Sequence, residues 1–264
     1  MTTVHTLASG SSGNALVLDW GGGRILVDAG ISCRRICQGL NTLGLTPEDL
    51  DAICITHTHG DHVSGLRILL KRTDCPVFAS EPAAWELLER AAGVKDRLDT
   101  AEGPFSVRDC TVTPFPTSHD APGSRGYRFD TPDGGFGLLT DSGVVTPEAA
   151  EVLPGAALAV LEANHDVEAL QSGPYPYYLK KRILGPGGHL CNEDAAAFAV
   201  TLAAAGAREI VLAHLSKENN TPTMALRTVE TALSAAGLCP RLSAAPRDTL
   251  SDAYVLEGGG VCSG

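Results

Sequence analysis

The chain has no C-x-x-C pair, no apolar run long enough to span a bilayer, no basic stretch ahead of an apolar core at its amino terminus, and too few basic residues to balance its acids. Each absence removes a class of function. Eight cysteines are present, at positions 33, 37, 54, 75, 110, 191, 239 and 262, but zinc knuckles bring their thiolates in closely spaced pairs. Cys33 and Cys37 lie one helical turn apart and suit packing better than a metal. Cys54 and Cys110 fall in apolar or alternating runs and read as core thiols. The longest apolar stretches, such as Ala195 to Gly206, stop short of the roughly 18 residues a membrane helix needs, so no membrane association is expected. Without a secretory signal in MTTVHTLASGSSGN, a cytoplasmic chain with reduced cysteines is expected. Lys and Arg number 20 against 31 Asp and Glu, a net charge of −11, which excludes a protein that coats nucleic acid or anionic membrane non-specifically.

What is present is an ordinary folded composition, 44% hydrophobic and 19% charged over 264 residues, enough for one large domain or two small ones. No linker or short-period repeat divides it, so a single domain over 1–257 is expected, with 258–264 (GGGVCSG) as a disordered tail. Short strands are expected at Val4–Leu7, Ala15–Leu18 and Arg24–Val27, the last two joined through Gly21 to Gly23. Ser32 caps a helix to about Leu43, and Thr46-Pro47 opens a turn with Pro at its first position. A buried strand, Ala52–Thr56, runs straight into His57. Helices follow at Val63–Lys71 and Pro82–Ala92, with a strand at Val77–Ala79 between them. In the second half, Thr111–Pro114 leads towards His119, and Gly126–Phe129 pairs with Phe136–Thr140 around Pro132 to Gly135. Ala157–Leu161 and Ile210–Ala213 are strands. Tyr175–Leu184, Asn192–Ala205 with Asn192 as its cap, and Pro222 to about Ala236 are helices. Strands feeding helices in both halves point to two packed sheets with helices outside, an α/β fold of the αββα kind.

The chemistry sits in His57-Thr58-His59-Gly60-Asp61-His62. An H-x-H-x-D-H pattern arises by chance in about 5 of 10,000 chains of this composition. Three imidazoles and a carboxylate within six residues are costly to bury unless they bind something, and a loop at a strand end can aim them at one point. His and Asp suit zinc, manganese or iron. Three further residues follow strands: His119, Asp141 and His214. Together with the motif they form two candidate coordination spheres, His57, His59 and His119 in one and Asp61, His62 and His214 in the other, with Asp141 placed to bridge them.

On these residues, preceded by Val27-Asp28-Ala29-Gly30, nearly the whole chain resembles the metallo-β-lactamase superfamily. Ser9-Gly10-Ser11-Ser12-Gly13-Asn14, Glu162-Ala163-Asn164-His165-Asp166, Gly188-His189-Leu190-Cys191-Asn192 and the segment from His214 to Pro222 resemble its YycJ (WalJ)-like group, although Cys191 stands where that group's segment carries Ser. The resemblance implies a four-layer αββα sandwich with two divalent ions between the sheets, manganese for activity with zinc as the alternative. It also implies a phosphodiesterase, a 5′-to-3′ DNA exonuclease in DNA repair, with DNA as the substrate. Asp28 would orient the ligand loop, and Asp61 would both ligate and accept a proton from the nucleophile. His189 would protonate the leaving 3′ oxygen or grip a phosphate oxygen, with Asn14, His165 and Lys217 as further phosphate contacts. Lys217 and Lys180-Lys181-Arg182 can also meet a nucleic-acid backbone or simply face solvent. The aromatic cluster Tyr175, Tyr177 and Tyr178, flanked by prolines, reads more readily as packing than as a base-stacking surface. A small-molecule hydrolase acting on a cyclic phosphodiester, lactone or thioester would use the same ligands, and a non-catalytic regulatory binding module is the reading from a different class.

Overall fold

The computed structural model describes residues 1–91 and 93–256. The expected tail, 258–264, lies outside them. The first half gives β1 (Thr2–Ala8), β2 (Ala15–Trp20), β3 (Gly23–Val27), α1 (Cys33–Thr42), β4 (Ala52–Cys54), α2 (Gly60–Val63), α3 (Leu66–Leu69), β5 (Val77–Phe78), α4 (Glu81–Arg90) and β6 (Leu98–Asp99). The second gives β7 (Phe105–Val107), β8 (Cys110–Pro116), β9 (Arg125–Thr131), β10 (Gly134–Leu139), α5 (Pro147–Val152), β11 (Leu158–Glu162), α6 (Val167–Ser172), α7 (Tyr177–Ile183), α8 (Asn192–Ala204), β12 (Glu209–Ala213), α9 (Pro222–Ala235) and β13 (Arg241–Ala244). The last strand, β14 (Tyr254–Leu256), crosses back to the first sheet.

Two mixed sheets result, ordered β14-β1-β2-β3-β4-β5-β6 and β13-β12-β11-β10-β9-β8-β7. Period-2 alternation decides which side chains go where. Leu16, Leu18, Ile25, Val27 and Cys54 from the first sheet meet Val112, Phe129, Phe136, Val160 and Val211 from the second in the layer between the sheets. Their neighbours in sequence, Val17, Leu26 and Ile53, point outward under α1, α3 and α4. Likewise Ala159, Leu161, Ile210 and Leu212 pack under α5, α8 and α9. Strands buried on both faces have to be apolar throughout, and the central ones are. The four layers are helix, sheet, sheet, helix: the αββα sandwich of the metallo-β-lactamase fold.

Three local expectations differ from the structure, each for a tertiary reason. The helix expected at Val63–Lys71 is instead two short helices broken at Ser64-Gly65. The break is imposed by the loop after β3: Gly65 N donates to Ala29 O (2.8 Å), Ser64 Oγ donates to Gly30 O (2.7 Å), and a Cβ on Gly65 would lie 2.1 Å from Ile31 O. The strand expected at Ala52–Thr56 ends at Cys54, because Thr56 turns to give its N–H to Asp28 Oδ1 (2.9 Å). The cap of α8 is Cys191, not Asn192, with Cys191 Sγ accepting from Asp194 N (3.4 Å). The short strands β6, β7, β13 and β14 and the helices α5 and α6 carry no pattern that was read from the sequence; the strands are held by their sheet neighbours rather than by local preference.

Candidate metal centre

The site lies where the carboxyl ends of several strands converge. Asp28 follows β3, His57 lies three residues past β4, Asp141 lies just past β10, Glu162 ends β11 and His214 follows β12. Asp28, Asp141 and His214 have φ of 60°, 56° and 54°, a region that residues other than glycine rarely occupy and that costs about 1–3 kcal/mol each. Three such residues on one rim mean that the surrounding bonds over-determine them. His214 illustrates how: its N–H donates to Ser9 Oγ (2.8 Å), its carbonyl accepts from Asn164 Nδ2 (2.8 Å), and its Nδ1 donates to Glu162 Oε1 (2.9 Å).

The ring orientations follow from what each second nitrogen meets. His62 Nδ1 donates to Asp28 Oδ2 (2.8 Å), and His119 Nδ1 to Gly188 O (3.1 Å). Thr56 Oγ1 donates to Asp28 Oδ2 (2.9 Å) and lies 3.1 Å from His57 Nδ1, from which it accepts. These bonds turn Nε2 of His57, His62, His119 and His214 towards the site, the orientation of ring nitrogens prepared for a cation. His59 brings Nδ1 to 3.2 Å from His119 Nε2.

Ligand atoms of His57, His59 and His119 lie within 4.8 Å of one another, as do those of Asp61, His62 and His214. Asp141 joins them: its Oδ2 is 3.3 Å from His62 Nε2, and its Oδ1 is 3.6 Å from His214 Nε2 and 3.7 Å from His119 Nε2. The seven candidate ligands are thus brought together in the two groups expected, with Asp141 between. A donor set this dense fits divalent ions. His57 Nε2, His214 Nε2 and Asp141 Oδ2 are all buried without a hydrogen-bond partner, which is costly unless something binds there. Thr58, one of the two unspecified positions in the motif, turns away: its hydroxyl donates to Glu86 on α4.

Residues 23–215 match the family described as Beta-lactamase superfamily domain. The chain belongs to that superfamily. It is 39% identical over 239 residues to Exodeoxyribonuclease WalJ of Streptococcus pneumoniae serotype 2, covering 88% of each chain. Against Exodeoxyribonuclease YycJ of Bacillus anthracis it is 37% identical over 235 residues, covering 88% of this chain and 89% of that one. These identities support the YycJ-like group, and in class the chain is a metal-dependent hydrolase. The fold also matches the metallo-beta-lactamase fold protein YhfI from Bacillus subtilis, with a TM-score of 0.72 at 16% identity, covering 96% of this chain and 100% of that one.

Electrostatically this superfamily member balances carboxylates against imidazoles. Burial works against charge on His214, but Asp141, Asp61 and Glu162 outweigh it and lift its pKa to about 10. Burial is opposed in the same way at His62, where Asp141 and Asp28 hold the group well above the ordinary histidine value. Burial and the neighbouring His62 push His57 far down. Glu162 was not singled out as a site residue by sequence reasoning, although it sits at a strand end as Asp141 and His214 nearly do. It is fully buried, and its Oε1 takes Nδ1–H bonds from both His189 (2.8 Å) and His214 (2.9 Å). Burial opposes its ionisation, and the two histidines outweigh that, bringing its pKa to about 2.

The expected phosphate contacts fare differently. His189 is part-exposed beside the carboxylates, with Nδ1 3.7 Å from Asp141 Oδ1. His165 is 1% exposed, and neither ring nitrogen has a partner; it has no open face for a phosphate. Asn14 is committed to the ligand loop: Oδ1 accepts from Gly10 N (2.8 Å), and Nδ2 lies 3.3 Å from Asp61 O and 3.0 Å from His62 Nε2. Lys217 is exposed, with no hydrogen bond or ion pair to the site among the described residues.

Proposed function

We propose that this protein is a two-metal exodeoxyribonuclease that removes nucleotides from a DNA end in the 5′-to-3′ direction, in the service of DNA repair. The observation that carries the metal-site part of the reading is the convergence of imidazole nitrogens and carboxylate oxygens, with His59 Nδ1 3.2 Å from His119 Nε2 and His57 Nε2, His214 Nε2 and Asp141 Oδ2 buried without a hydrogen-bond partner. The likeness to proteins named exodeoxyribonucleases supports DNA as the substrate. His57, His59 and His119 would hold one divalent ion, Asp61, His62 and His214 the other, with Asp141 shared; manganese is proposed for activity. Two such ions supply an activated water and offset the charge that develops on the phosphoryl oxygens.

The chain's own groups do the rest. Asp61 is part-exposed at the rim of the site, with Oδ2 3.7 Å from both His62 and His214 Nε2, and is placed to accept the proton given up by the nucleophile. His189 gives its Nδ1–H to Glu162, which fixes the ring and leaves Nε2 to hold a phosphate oxygen or to pass a proton to the departing 3′ oxygen. Glu162 spans His189 and His214, so the proton-handling ring and a ligand ring share one anchor.

The test is degradation of 5′- and 3′-labelled DNA by wild type and Asp61→Ala, with manganese, zinc or chelator. Metal-dependent shortening that is lost in Asp61→Ala is expected, starting at the 5′ end. No shortening in any metal by protein that binds two ions would overturn the nuclease reading in favour of small phosphodiesters or lactones.

A further inference from the structure

The helix α7 fits none of the four layers. None of its residues is buried, and it presents Tyr177 and Tyr178 at 80% and 74% exposure. The packing role that prolines and aromatics suggested at this segment is therefore not what it does. An isolated exposed tyrosine needs no explanation, but these two adjoin Lys180, Lys181 and Arg182 in the same helix, a basic cluster in a chain of net charge −11. Helical spacing puts Lys181 one turn beyond Tyr177 and Arg182 one turn beyond Tyr178, so each ring has a cation on its own face.

The helix is also tied to the metal centre. Arg182 Nη2 donates to Asp120 Oδ1 at 3.1 Å, and that carboxylate oxygen lies 3.6 Å from both His59 Nε2 and His119 Nε2. At the end of α7, Ile183 O accepts from His189 N (3.1 Å). A Cβ on Gly188 would sit 2.1 Å from the same carbonyl, so only glycine allows this close approach. Lys180 is engaged, with Nζ donating to Gln171 O (2.7 Å), whereas Lys181 is exposed and makes no ion pair among the described residues.

We propose that Tyr177 and Tyr178 offer a platform of exposed ring faces on which the bases of a single-stranded DNA stack as it runs on from the metal centre, with Lys181 on the adjoining phosphate. The argument is charge complementarity together with geometry: exposed aromatic faces beside cations, anchored to the ligand rim, are the elements with which sequence-tolerant single-strand grooves are built. It rests on the nuclease reading and adds to it which form of DNA is held and by which residues.

The experiment compares degradation of single-stranded oligonucleotides of about two and about ten nucleotides, since single-strand sites span roughly 4–16 nucleotides. Wild type, Tyr177→Ala/Tyr178→Ala and Tyr177→Phe/Tyr178→Phe are run in the full-length protein. Because both rings are exposed, the variants should keep the wild-type melting temperature. The alanine pair should raise KM on the longer strand about tenfold more than on the dinucleotide, and the phenylalanine pair, which keeps its π-faces, should stay within about twofold of wild type. Equal losses at both lengths, a phenylalanine pair as impaired as the alanine pair, or an altered oligomeric state with unaltered KM would each overturn the platform. If wild type degrades DNA and the alanine pair is indistinguishable from it, the platform alone falls. If wild type degrades no DNA, the nuclease reading falls and takes the platform with it.

Discussion

Asp28 shows how much a single residue outside the ligand set can control. It is held at φ 60° and takes three bonds, from Thr56 N, Thr56 Oγ1 and His62 Nδ1. An asparagine keeps the size but turns an amide donor towards a donor, so His62 loses its fixed orientation. Asp28→Asn should keep the fold and weaken metal binding by roughly 10- to 100-fold, measured by competition with a chromophoric chelator; unchanged affinity would detach Asp28 from the site. The raised pKa values make a second prediction. In the metal-free protein His214 remains protonated up to about pH 10 against 6.5 for a free histidine, and the associated stability is full below 6.5 and lost as pH rises through the folded value. An ion at Nε2 has to displace that proton, and the one on His62. Metal uptake at pH 7 should therefore release protons, and affinity should climb with pH by up to about tenfold per unit per proton displaced. Calorimetry in buffers of differing ionisation heat reads the proton count directly; a count of zero would contradict the assigned charge states.

Among the elements, α8 carries an unusual cap. Cys191 Sγ accepts from Asp194 N at 3.4 Å, a position where a hydroxyl oxygen is the stronger acceptor. Cys191→Ser should stabilise the protein by about 0.5–1 kcal/mol, seen as a higher denaturation midpoint at unchanged slope; no gain would mean that the thiol packs as well as it caps. The same helix marks the limit of what local sequence conveys. The loop His57 to His62 was legible because four ligand-type side chains in six residues have few other uses, and His119, Asp141 and His214 because each follows an apolar strand. The break between α2 and α3 was not legible, since its cause is the approach of Gly65 to Ile31 O, far away in sequence. Glu162 was hidden for another reason: its partners, His189 and His214, arrive from two other segments, and only the assembled rim shows one oxygen serving both. Gly30 is a further case. A Cβ there would lie 1.6 Å from Asp61 O, so Gly30→Ala should cost about 1–3 kcal/mol or more and displace the ligand loop, lowering metal content along with the melting temperature.

For the whole molecule the question is how a chain of net charge −11 engages a polyanion. The strands that lead into the candidate ligands place their carboxyl ends on one rim, and α7 stands beside that rim with its basic turn. Attraction is therefore local: divalent ions at the rim and Lys181 on the helix, set against a net charge of −11. A protein held by so few contacts should show weak salt dependence, because each phosphate neutralised on a single strand contributes only about −0.7 to the slope of log K against log salt. Lys181→Gln removes one such contact if the strand crosses α7. Its slope should be shallower than wild type by about 0.7, with the loss in affinity greatest at low salt and shrinking as salt rises. Titrating a labelled single strand across a series of salt concentrations measures both. A parallel shift of the line, with the slope unchanged, would place Lys181 away from the phosphate backbone and send the path of the strand along another side of the metal centre.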